Sequence, residues 1–374
     1  MNRQEFQSLI KDTPLFLDGA TGSNLQKRGM PAGVCPEQWI LEHRDIMIGL
    51  QRDFVAAGSH IVYAPTFTAN RIKLKEYGLD GQIRQMNHAL VEISREAVGG
   101  KAYIAGDLTM TGEQLAPMGK LDFEELVDVY KEQIRYLDEA GVDLLVIETM
   151  MSLQETRAAV IAAKEVCDLA VMATLTFEAD GRTLFGTDAA TAAVVLESLG
   201  VAAVGTNCST GPDKMTDTVR RMAEVTGIPI IAKPNAGLPS LDENGNTVYD
   251  MGAAEFGGHM RDLISAGASV IGGCCGTTPD HIRAAKEAVH DMTVIHREKP
   301  KRCFLTSERL TVSFGLDDPF LVVGERINPT GKKKLQAALR EGSMEEVSDF
   351  AEAQEACGAS ILDVNMGMGG IDEK

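Results

Sequence analysis

The sequence predicts an α/β fold, in which a (β/α)8 barrel is followed by the truncated first part of a second α/β barrel. Three observations lead to this prediction. Eight short apolar runs rich in β-branched residues recur between residues 15 and 275. Longer segments with apolar residues at helical spacing separate these runs. The alternation stops near residue 291 and starts again after Pro319, and 374 residues are enough for one large barrel and a remainder.

The eight runs are the predicted strands of the first barrel. They lie at 15–19, 60–67, 102–109, 142–149, 169–177, 201–207, 228–235 and 268–275. An open doubly wound sheet is the chief competing architecture. We favour the closed TIM barrel, because the Ala-Gly pairs at 140–141 and 266–267 fit helix C-caps that lead directly into buried strands. Such a barrel carries its catalytic residues at the carboxyl ends of the strands.

The predicted domains follow from the break in this alternation. Residues 1–295 form the first barrel, and the charged, aperiodic stretch 296–318 is a linker. Residues 319–374 begin the second barrel. The predicted elements of this last segment are a strand at 320–328, a helix at 332–356 and a strand at 359–367. Two strands and one helix cannot close a barrel, so we expect the chain to stop inside the second domain.

Composition and charge restrict the class of partner. Lys and Arg number 36 and Asp and Glu 54, which gives a formal net charge of −18. Because the field of such a surface repels polyanions, we expect small-molecule or protein partners and no nucleic acid or membrane. No apolar run approaches the roughly 20 residues that cross a bilayer, and the charged start lacks a secretory signal. We therefore expect a cytoplasmic protein, whose seven cysteines do not form a disulfide scaffold.

Three cysteines follow predicted strands. Cys208 lies in GTNCSTG, and Cys274 and Cys275 lie in GGCCGTTP, 66 residues further on. A separation of 66 residues is not the spacing of a zinc finger, so local spacing does not support a metal site. A barrel, however, places the ends of its sixth and eighth strands on one rim. Three thiolates favour Zn²⁺ and leave the fourth tetrahedral position open, as in catalytic zinc sites. The alternative is that these are buried cysteines at the ends of strands rich in small residues.

Several motifs resemble the homocysteine S-methyltransferase domain. They are LDGATGSNLQ (17–26), TFTANRIKL (66–74), IETM (147–150), GTNCS (205–209), KPNAG (233–237) and GGCCGTTPDHI (272–282). This resemblance spans about residues 1–295. GERINPTGKKKL (324–335) and GASILDVNMG (358–367) resemble the start of a pterin-binding methyltransferase barrel. The succession resembles the layout of the cobalamin-dependent methionine synthase family.

The resemblance implies a reaction and its cofactors. Cys208, Cys274 and Cys275 are the implied zinc ligands and catalytic residues, with the substrate thiolate as the fourth ligand. The implied reaction is that of a 5-methyltetrahydrofolate–homocysteine methyltransferase, in which zinc-bound homocysteine thiolate attacks methylcobalamin to give methionine. A free thiol is only about 3% ionised at pH 7, whereas a thiol coordinated to zinc is deprotonated. The sequence contains no D-x-H-x-x-G cobalamin motif, so we expect a cobalamin-binding module or protein to carry the donor.

The resemblance also implies residues that bind the two charged groups of homocysteine. Asp18 and Glu148 are the implied ligands of the substrate ammonium, and the backbone N–H groups of Ala20 and Thr21 could hold its carboxylate. Asn235 is the implied metal contact when substrate is absent. Alternatives remain for two of these residues. Asp18 could instead serve a helix cap or turn, and Asn235 could close a turn.

Other polar residues also lie at the ends of predicted strands. Asn207 and Thr176 are expected to form hydrogen bonds at the rim of the barrel. Asn328, Asp363 and Asn365 match positions at which pterin-binding barrels hold folate. We expect no folate affinity from this chain alone, because the remaining strands of that barrel are missing.

Two other functions compete with this interpretation. One is a stand-alone homocysteine methyltransferase that uses a sulfonium donor or a betaine. The GERINPTG segment argues against it, since an enzyme with a single barrel has no use for this segment. The other is a zinc-binding or thiol-binding protein without catalytic activity.

Overall fold

The structure is a computed structural model that describes residues 1–242 and 247–371. It divides into two compact units, which are Met1–Pro300 with Thr306–Leu310, and Lys301–Leu305 with Thr311–Lys374. The last three residues of the predicted 319–374 segment lie outside the described residues. None of the helices in the described part of the chain has the length and apolarity that a bilayer-spanning segment needs.

The first unit alternates strands and helices. Its strands are β1 (Leu15–Phe16), β2 (Ile61–Tyr63), β3 (Tyr103–Leu108), β4 (Leu144–Met150), β5 (Val171–Leu175), β6 (Ala203–Asn207), β7 (Ile230–Lys233), β8 (Pro239–Leu241), β9 (Thr247–Tyr249) and β10 (Val270–Ile271). Its helices are α1 (Arg3–Leu9), α2 (Gly22–Lys27), α3 (Pro36–Glu42), α4 (Arg44–Ala57), α5 (Arg71–Lys75), α6 (Ile83–Val98), α7 (Phe123–Ala140), α8 (Leu153–Val166), α9 (Ala189–Leu199), α10 (Pro212–Ala223), α11 (Ala253–Ala266) and α12 (Pro279–Ala288), with a 3-10 turn at Asp80–Gln82.

Eight parallel strands form a nearly closed barrel. Their order is β1-β10-β7-β6-β5-β4-β3-β2, and a parallel bridge between Leu17 and Ile61 joins the two ends. The predicted eight-stranded α/β barrel is therefore confirmed, and the open doubly wound alternative is wrong. All eight predicted strands are present, but each is shorter than its apolar run. The antiparallel hairpin β8–β9, between β7 and α11, was not predicted.

Side-chain alternation along the strands separates two apolar layers. In β4, Leu144 and Val146 pack in the cluster that fills the barrel interior. Leu145 and Ile147 belong to the larger cluster that also contains residues of the surrounding helices. Successive side chains of a strand point to opposite faces, so alternate positions of each strand face the interior. This alternation decides which strand-end residues reach the cavity described below.

Helix ends carry the signals expected for repeated strand-helix units. The side chains of Asp122, Ser152 and Asp188 accept hydrogen bonds from backbone N–H groups in the first turns of α7, α8 and α9. Helix α7 ends at Gly141, which has a left-handed conformation with φ of 79°. A residue with a Cβ atom adopts this conformation at a cost, which explains the glycine.

The chain after residue 300 contains β11 (Cys303–Thr306), β12 (Thr311–Phe314), β13 (Val323–Ile327), α13 (Lys333–Arg340), α14 (Glu345–Ala356) and β14 (Ile361–Val364). Strands β13 and β14 are parallel. The prediction of one continuous helix at 332–356 is wrong, because the left-handed Gly342 (φ of 73°) separates α13 from α14. Residues 296–318, predicted as a linker, contain the strands β11 and β12. The second barrel stays a prediction.

Candidate active site

A cavity of about 360 Å³ lies at the carboxyl ends of the barrel strands. Its wall includes every residue that the sequence analysis assigns to catalysis or homocysteine binding, namely Asp18, Ala20, Thr21, Glu148, Cys208, Cys274 and Cys275. The barrel therefore brings together residues from both ends of the first unit. Apolar side chains, among them Leu25, Ile40 and Phe67, complete the wall.

Three cysteines converge at one point of this cavity. Cys208 follows β6, and Cys274 and Cys275 follow β10. Their sulfur atoms all lie within 4.8 Å of one another, and the sulfurs of Cys208 and Cys275 are 4.0 Å apart. Cys208 has a left-handed backbone conformation with φ of 63°. Such a conformation is uncommon for a non-glycine residue and persists where the surrounding structure imposes it, often at functional sites.

The geometry of the three sulfurs fits a tetrahedral zinc ion. With Zn–S bonds of about 2.3 Å, two sulfur ligands of such an ion lie about 3.8 Å apart, close to the separation of Cys208 and Cys275. Hydrogen bonds from Cys208 and Cys274 lower the pKa of Cys275 to about 3. This shift favours the thiolate form of Cys275, and thiolate is the form in which cysteine binds metals. Three protein sulfurs leave one coordination position for another ligand.

Asn235 lies two residues after β7 and is buried. Its backbone N–H donates to the carbonyl oxygen of Thr210 at 3.0 Å. Within residues 1–242 and 247–371, its side-chain oxygen Oδ1 has no hydrogen-bond partner. A buried acceptor without a partner is unfavourable, so this oxygen is available to a ligand. The contact of Asn235 with a metal stays a prediction.

Asp18 and Glu148 share a buried lysine. The Nζ atom of Lys233 lies 3.5 Å from Asp18 Oδ1 and 3.5 Å from Glu148 Oε2. It also lies 4.0 Å from the centroid of the Tyr63 ring. Asp18 Oδ2 accepts a hydrogen bond from the Tyr63 backbone N–H at 2.8 Å. The helix-cap alternative for Asp18 is wrong, because Thr21 occupies the N-cap position of α2.

The buried charges of this site favour a further cation. Burial raises the pKa of Asp18 and raises that of Glu148 to about 7, and the charge of Lys233 opposes both shifts. Burial and the charge of Glu148 raise the pKa of Asp107 well above its usual range. Burial alone would lower the pKa of Lys233, but Glu148 and Asp18 raise it well above its ordinary value. Three carboxyl groups therefore surround one cation, and a second cation would let more of them ionise.

Lys233 and Asp107 are two further residues of the site for which no role was predicted from the sequence. Both line the cavity, and Asp107 Oδ1 has no hydrogen-bond partner among the described residues. Strand alternation could have identified both. Ala105 and Ile231 pack in the barrel interior, so Asp107 and Lys233, each two residues further along its strand, face the same side.

Ala20 and Thr21 lie at the entrance to α2 and line the cavity. The Ala20 N–H donates to Thr277 Oγ1 at 3.1 Å. A substrate carboxylate at this position would therefore compete with Thr277 for one of the two predicted N–H groups. Helix α2 begins at Gly22, and the partial positive charge of a helix N-terminus favours an anion nearby.

The remaining candidates lie at other strand ends. Thr176 Oγ1 donates to the backbone oxygen of Asn207 at 3.1 Å, and both residues are buried. In the second unit, Asn328 follows β13, Asp363 lies within β14, and Asn365 follows it. Asp363 and Asn365 are exposed. Asn328 and Asn365 accept hydrogen bonds from the backbone N–H groups two residues further on, and the predicted folate contacts stay predictions.

Comparison with known proteins identifies a family. Residues 15–289 match the family described as Homocysteine S-methyltransferase. The chain is 30% identical over 367 residues to the protein named Methionine synthase from Mycobacterium tuberculosis, across 93% of this chain and 30% of that protein. The protein of the same name from Mycobacterium leprae is also 30% identical, over 372 residues and the same shares. The chain thus spans about 30% of the length of these relatives.

Solved structures agree with the barrel fold. The homocysteine methyltransferase MmuM from Escherichia coli, in its metallated form, superposes with a TM-score of 0.63 at 22% sequence identity. The match covers 76% of this chain and 99% of that one. The oxidised form of the same protein gives a TM-score of 0.64 at 22% identity, over 77% of this chain and 99% of that one. Because the family match covers most of the chain, we conclude that the chain belongs to the homocysteine S-methyltransferase family and is a methyltransferase.

Proposed function

We propose that the chain is a zinc-dependent homocysteine S-methyltransferase, in which zinc-bound homocysteine thiolate takes the methyl group of methylcobalamin to become methionine. The observation that carries this proposal is the convergence of three cysteine sulfurs within 4.8 Å in a cavity that also contains buried carboxyl groups. A thiol substrate with an ammonium group matches both features. Its sulfur would meet the cysteines, and its ammonium would meet the carboxylates.

Cys208, Cys274 and Cys275 would hold the zinc. When bound, zinc supplies the Lewis acidity that keeps the homocysteine thiol deprotonated at neutral pH. The three cysteines are anionic ligands, so they leave more electron density on the substrate sulfur than neutral histidines would. That density favours attack on a methyl group. In the transfer the sulfur–methyl bond forms as the donor–methyl bond breaks, and the electron pair of the broken bond stays with the donor.

The polar residues that line the cavity would orient the amino and carboxylate groups of homocysteine. Glu148 is the proposed ligand of the substrate ammonium, because it is a buried carboxyl group in the cavity wall. Burial raises its pKa to about 7, so a nearby ammonium would favour its ionised form. Asp18 would assist it from across Lys233. Ala20 and Thr21 would bind the substrate carboxylate with their N–H groups, and Asn235 would occupy the open metal position without substrate.

The methyl donor and the rest of the assembly are part of the proposal. We propose that a cobalamin-binding module or protein carries methylcobalamin to the barrel of residues 1–295. Residues 296–318 would connect this barrel to a pterin-binding domain that begins at 319–374. Asn328, Asp363 and Asn365 would bind folate only in a complete second domain. The motif succession and the two relatives named Methionine synthase support this arrangement. A reducing, cytoplasmic location suits a site made of free thiols.

A donor panel tests the proposed reaction. The zinc-loaded chain is mixed with homocysteine and, separately, methylcobalamin, S-methylmethionine, betaine or methyltetrahydrofolate, and methionine is measured. We expect slow turnover with free methylcobalamin, because no tether raises its effective concentration, and none with methyltetrahydrofolate alone. Matched controls are the chelator-treated chain and the Cys208→Ser variant.

The same panel separates the competing functions. Turnover with only S-methylmethionine or betaine would establish the stand-alone enzyme. Binding of zinc and homocysteine without turnover with any donor would establish the non-catalytic alternative. Folate-dependent methionine formation without added cobalamin protein would contradict the donor assignment.

A further inference from the structure

We infer that Asn207 is a positioning residue that connects the cysteine cluster to the carboxylate expected to bind the substrate ammonium. It would do so through hydrogen bonds to the Cys274 sulfur and to Thr149, the residue after Glu148. The inference rests on the zinc site of the proposed function. It concerns a side chain for which the sequence predicts only hydrogen bonds at the rim of the barrel.

The orientation of the Asn207 carboxamide is fixed by two donors. Asn207 is the last residue of β6 and is completely buried. Its Oδ1 atom accepts hydrogen bonds from the Thr149 backbone N–H at 2.9 Å and from Thr174 Oγ1 at 2.8 Å. A flipped amide would place its NH₂ group against the Thr149 N–H, which can only donate. The Nδ2 atom therefore faces the site.

The Nδ2 atom has three acceptors within reach. It lies 2.8 Å from Thr149 Oγ1, 3.8 Å from Cys274 Sγ and 3.5 Å from Glu148 Oε2. An NH₂ group has two hydrogens. Thr149 takes one at the shortest distance, and the Cys274 sulfur and the Glu148 carboxylate share the other. A thiolate bound to a metal is a charged acceptor, so this hydrogen bond would draw electron density from the sulfur and tune its donation to the metal.

The same side chain holds the backbone beside Glu148. Thr149 has φ of 59°, a left-handed conformation that is strained for a β-branched residue. Asn207 accepts from the Thr149 N–H and donates to its hydroxyl, so it holds this conformation from both sides. One buried amide therefore contacts both the sulfur of Cys274, a proposed zinc ligand, and the part of β4 directly after Glu148. Loss of the amide should disturb both the metal and the substrate carboxylate.

The test uses metal ions alone on the full chain, without a methyl donor. Asn207→Ala removes both hydrogens of the amide. We expect zinc affinity, measured by competition with a chelator, to fall by about 10- to 100-fold. In the cobalt-substituted protein, the sulfur-to-cobalt charge-transfer band should move to longer wavelength, because the sulfur loses a hydrogen-bond donor. Homocysteine affinity of the zinc-loaded variant should fall as well.

Two further variants keep the inference testable. Thr174→Val removes one of the two donors that orient the amide and should move the cobalt band in the same direction by a smaller amount. Thr176→Val is the matched control. The Thr176 hydroxyl donates to the backbone oxygen of Asn207 and not to its side-chain amide, so this substitution should leave the cobalt band unchanged. A merely structural role would lower the unfolding temperature of Asn207→Ala without shifting the band.

The outcomes distinguish this inference from the proposed function. A parent chain that binds neither zinc nor cobalt overturns the proposed function and this inference with it. A parent that binds zinc, together with a folded Asn207→Ala variant of equal affinity and unshifted band, overturns only the role of Asn207. If Asn207→Ala does not fold, an unshifted band in Thr174→Val overturns that role.

Discussion

The substitution Glu148→Gln tests how the cavity binds its substrate. It replaces a buried carboxyl group, 9% exposed at its side chain, with a neutral group of the same shape. The proposed interaction that it removes is a charge-assisted hydrogen bond to the substrate ammonium, worth about 1.5 to 3 kcal/mol. We therefore expect the dissociation constant for homocysteine to rise by roughly tenfold to hundredfold. Zinc content should stay at one ion per chain, because the proposed zinc ligands are the three cysteines and do not include Glu148.

The pH dependence of binding gives this prediction a second measurement. Because the pKa of Glu148 is raised to about 7, its carboxyl group is largely protonated below pH 7 and must lose a proton to accept an ammonium. Homocysteine affinity should therefore rise by up to about tenfold per pH unit as the pH increases to 7, and this contribution should level off above it. Deprotonation of the substrate thiol adds a slope common to parent and variant. The difference between the pH dependences of homocysteine affinity in the parent and the variant therefore reports the ionisation of Glu148.

Calorimetry of the zinc-loaded proteins from pH 5.5 to 8.5 measures both effects. The control is Glu155→Gln, which changes a second buried glutamate of the same barrel. Glu155 accepts hydrogen bonds from the Thr111 N–H at 2.7 Å and from Tyr130 Oη at 3.0 Å and lies outside the cavity wall described above. This variant should be less stable but bind homocysteine within threefold of the parent. Equal affinities and equal pH slopes for the parent and Glu148→Gln would contradict the role of Glu148, and would show that the ammonium binds elsewhere.

Three further predictions follow from the same structure. Cys208→Ser should lose most of its zinc while the exposed Cys303→Ser keeps it, as metal analysis after dialysis would show; stoichiometric zinc in Cys208→Ser would contradict the ligand set. Gly276→Ala should lower the free energy of unfolding by about 1 to 3 kcal/mol, because Gly276 has φ of 80° and a Cβ atom there would lie 2.3 Å from the Tyr249 ring; an unchanged denaturation midpoint would count against this strain. Limited proteolysis should cut residues 319–374 before the barrel, since apolar side chains there, such as Phe320 at 93%, are exposed; first cuts within the barrel would contradict it.

The barrel could be predicted because its signals are local. Each strand is an apolar run, and glycines such as Gly141 mark where helices end. The strand lengths could not be read in the same way. The run 268–275 predicts eight strand residues, whereas β10 has two, because the backbone beyond Ile271 leaves the sheet to carry Cys274 and Cys275 into the cavity. Apolar composition does not record where strand pairing stops.

The site was only partly predictable. Its cysteines lie within recognisable motifs, and the barrel topology places them on one rim. The buried ion pairs of Lys233 with Asp18 and Glu148 join strands that are far apart in the sequence, so no local spacing reveals them. The role of Asn207 likewise depends on distances to Cys274 that only the folded chain provides. The break between α13 and α14 was missed because the apolar pattern continues across it.

Binding of the substrate thiol to zinc can be measured directly by counting the sulfur atoms around the metal with X-ray absorption spectroscopy, with and without homocysteine. The proposed site has three protein sulfurs, from Cys208, Cys274 and Cys275, and one open position. We predict three sulfur ligands and one lighter ligand without substrate, and four sulfur ligands once homocysteine is added. A count that stays at three with saturating homocysteine would contradict activation of the substrate thiol by the metal.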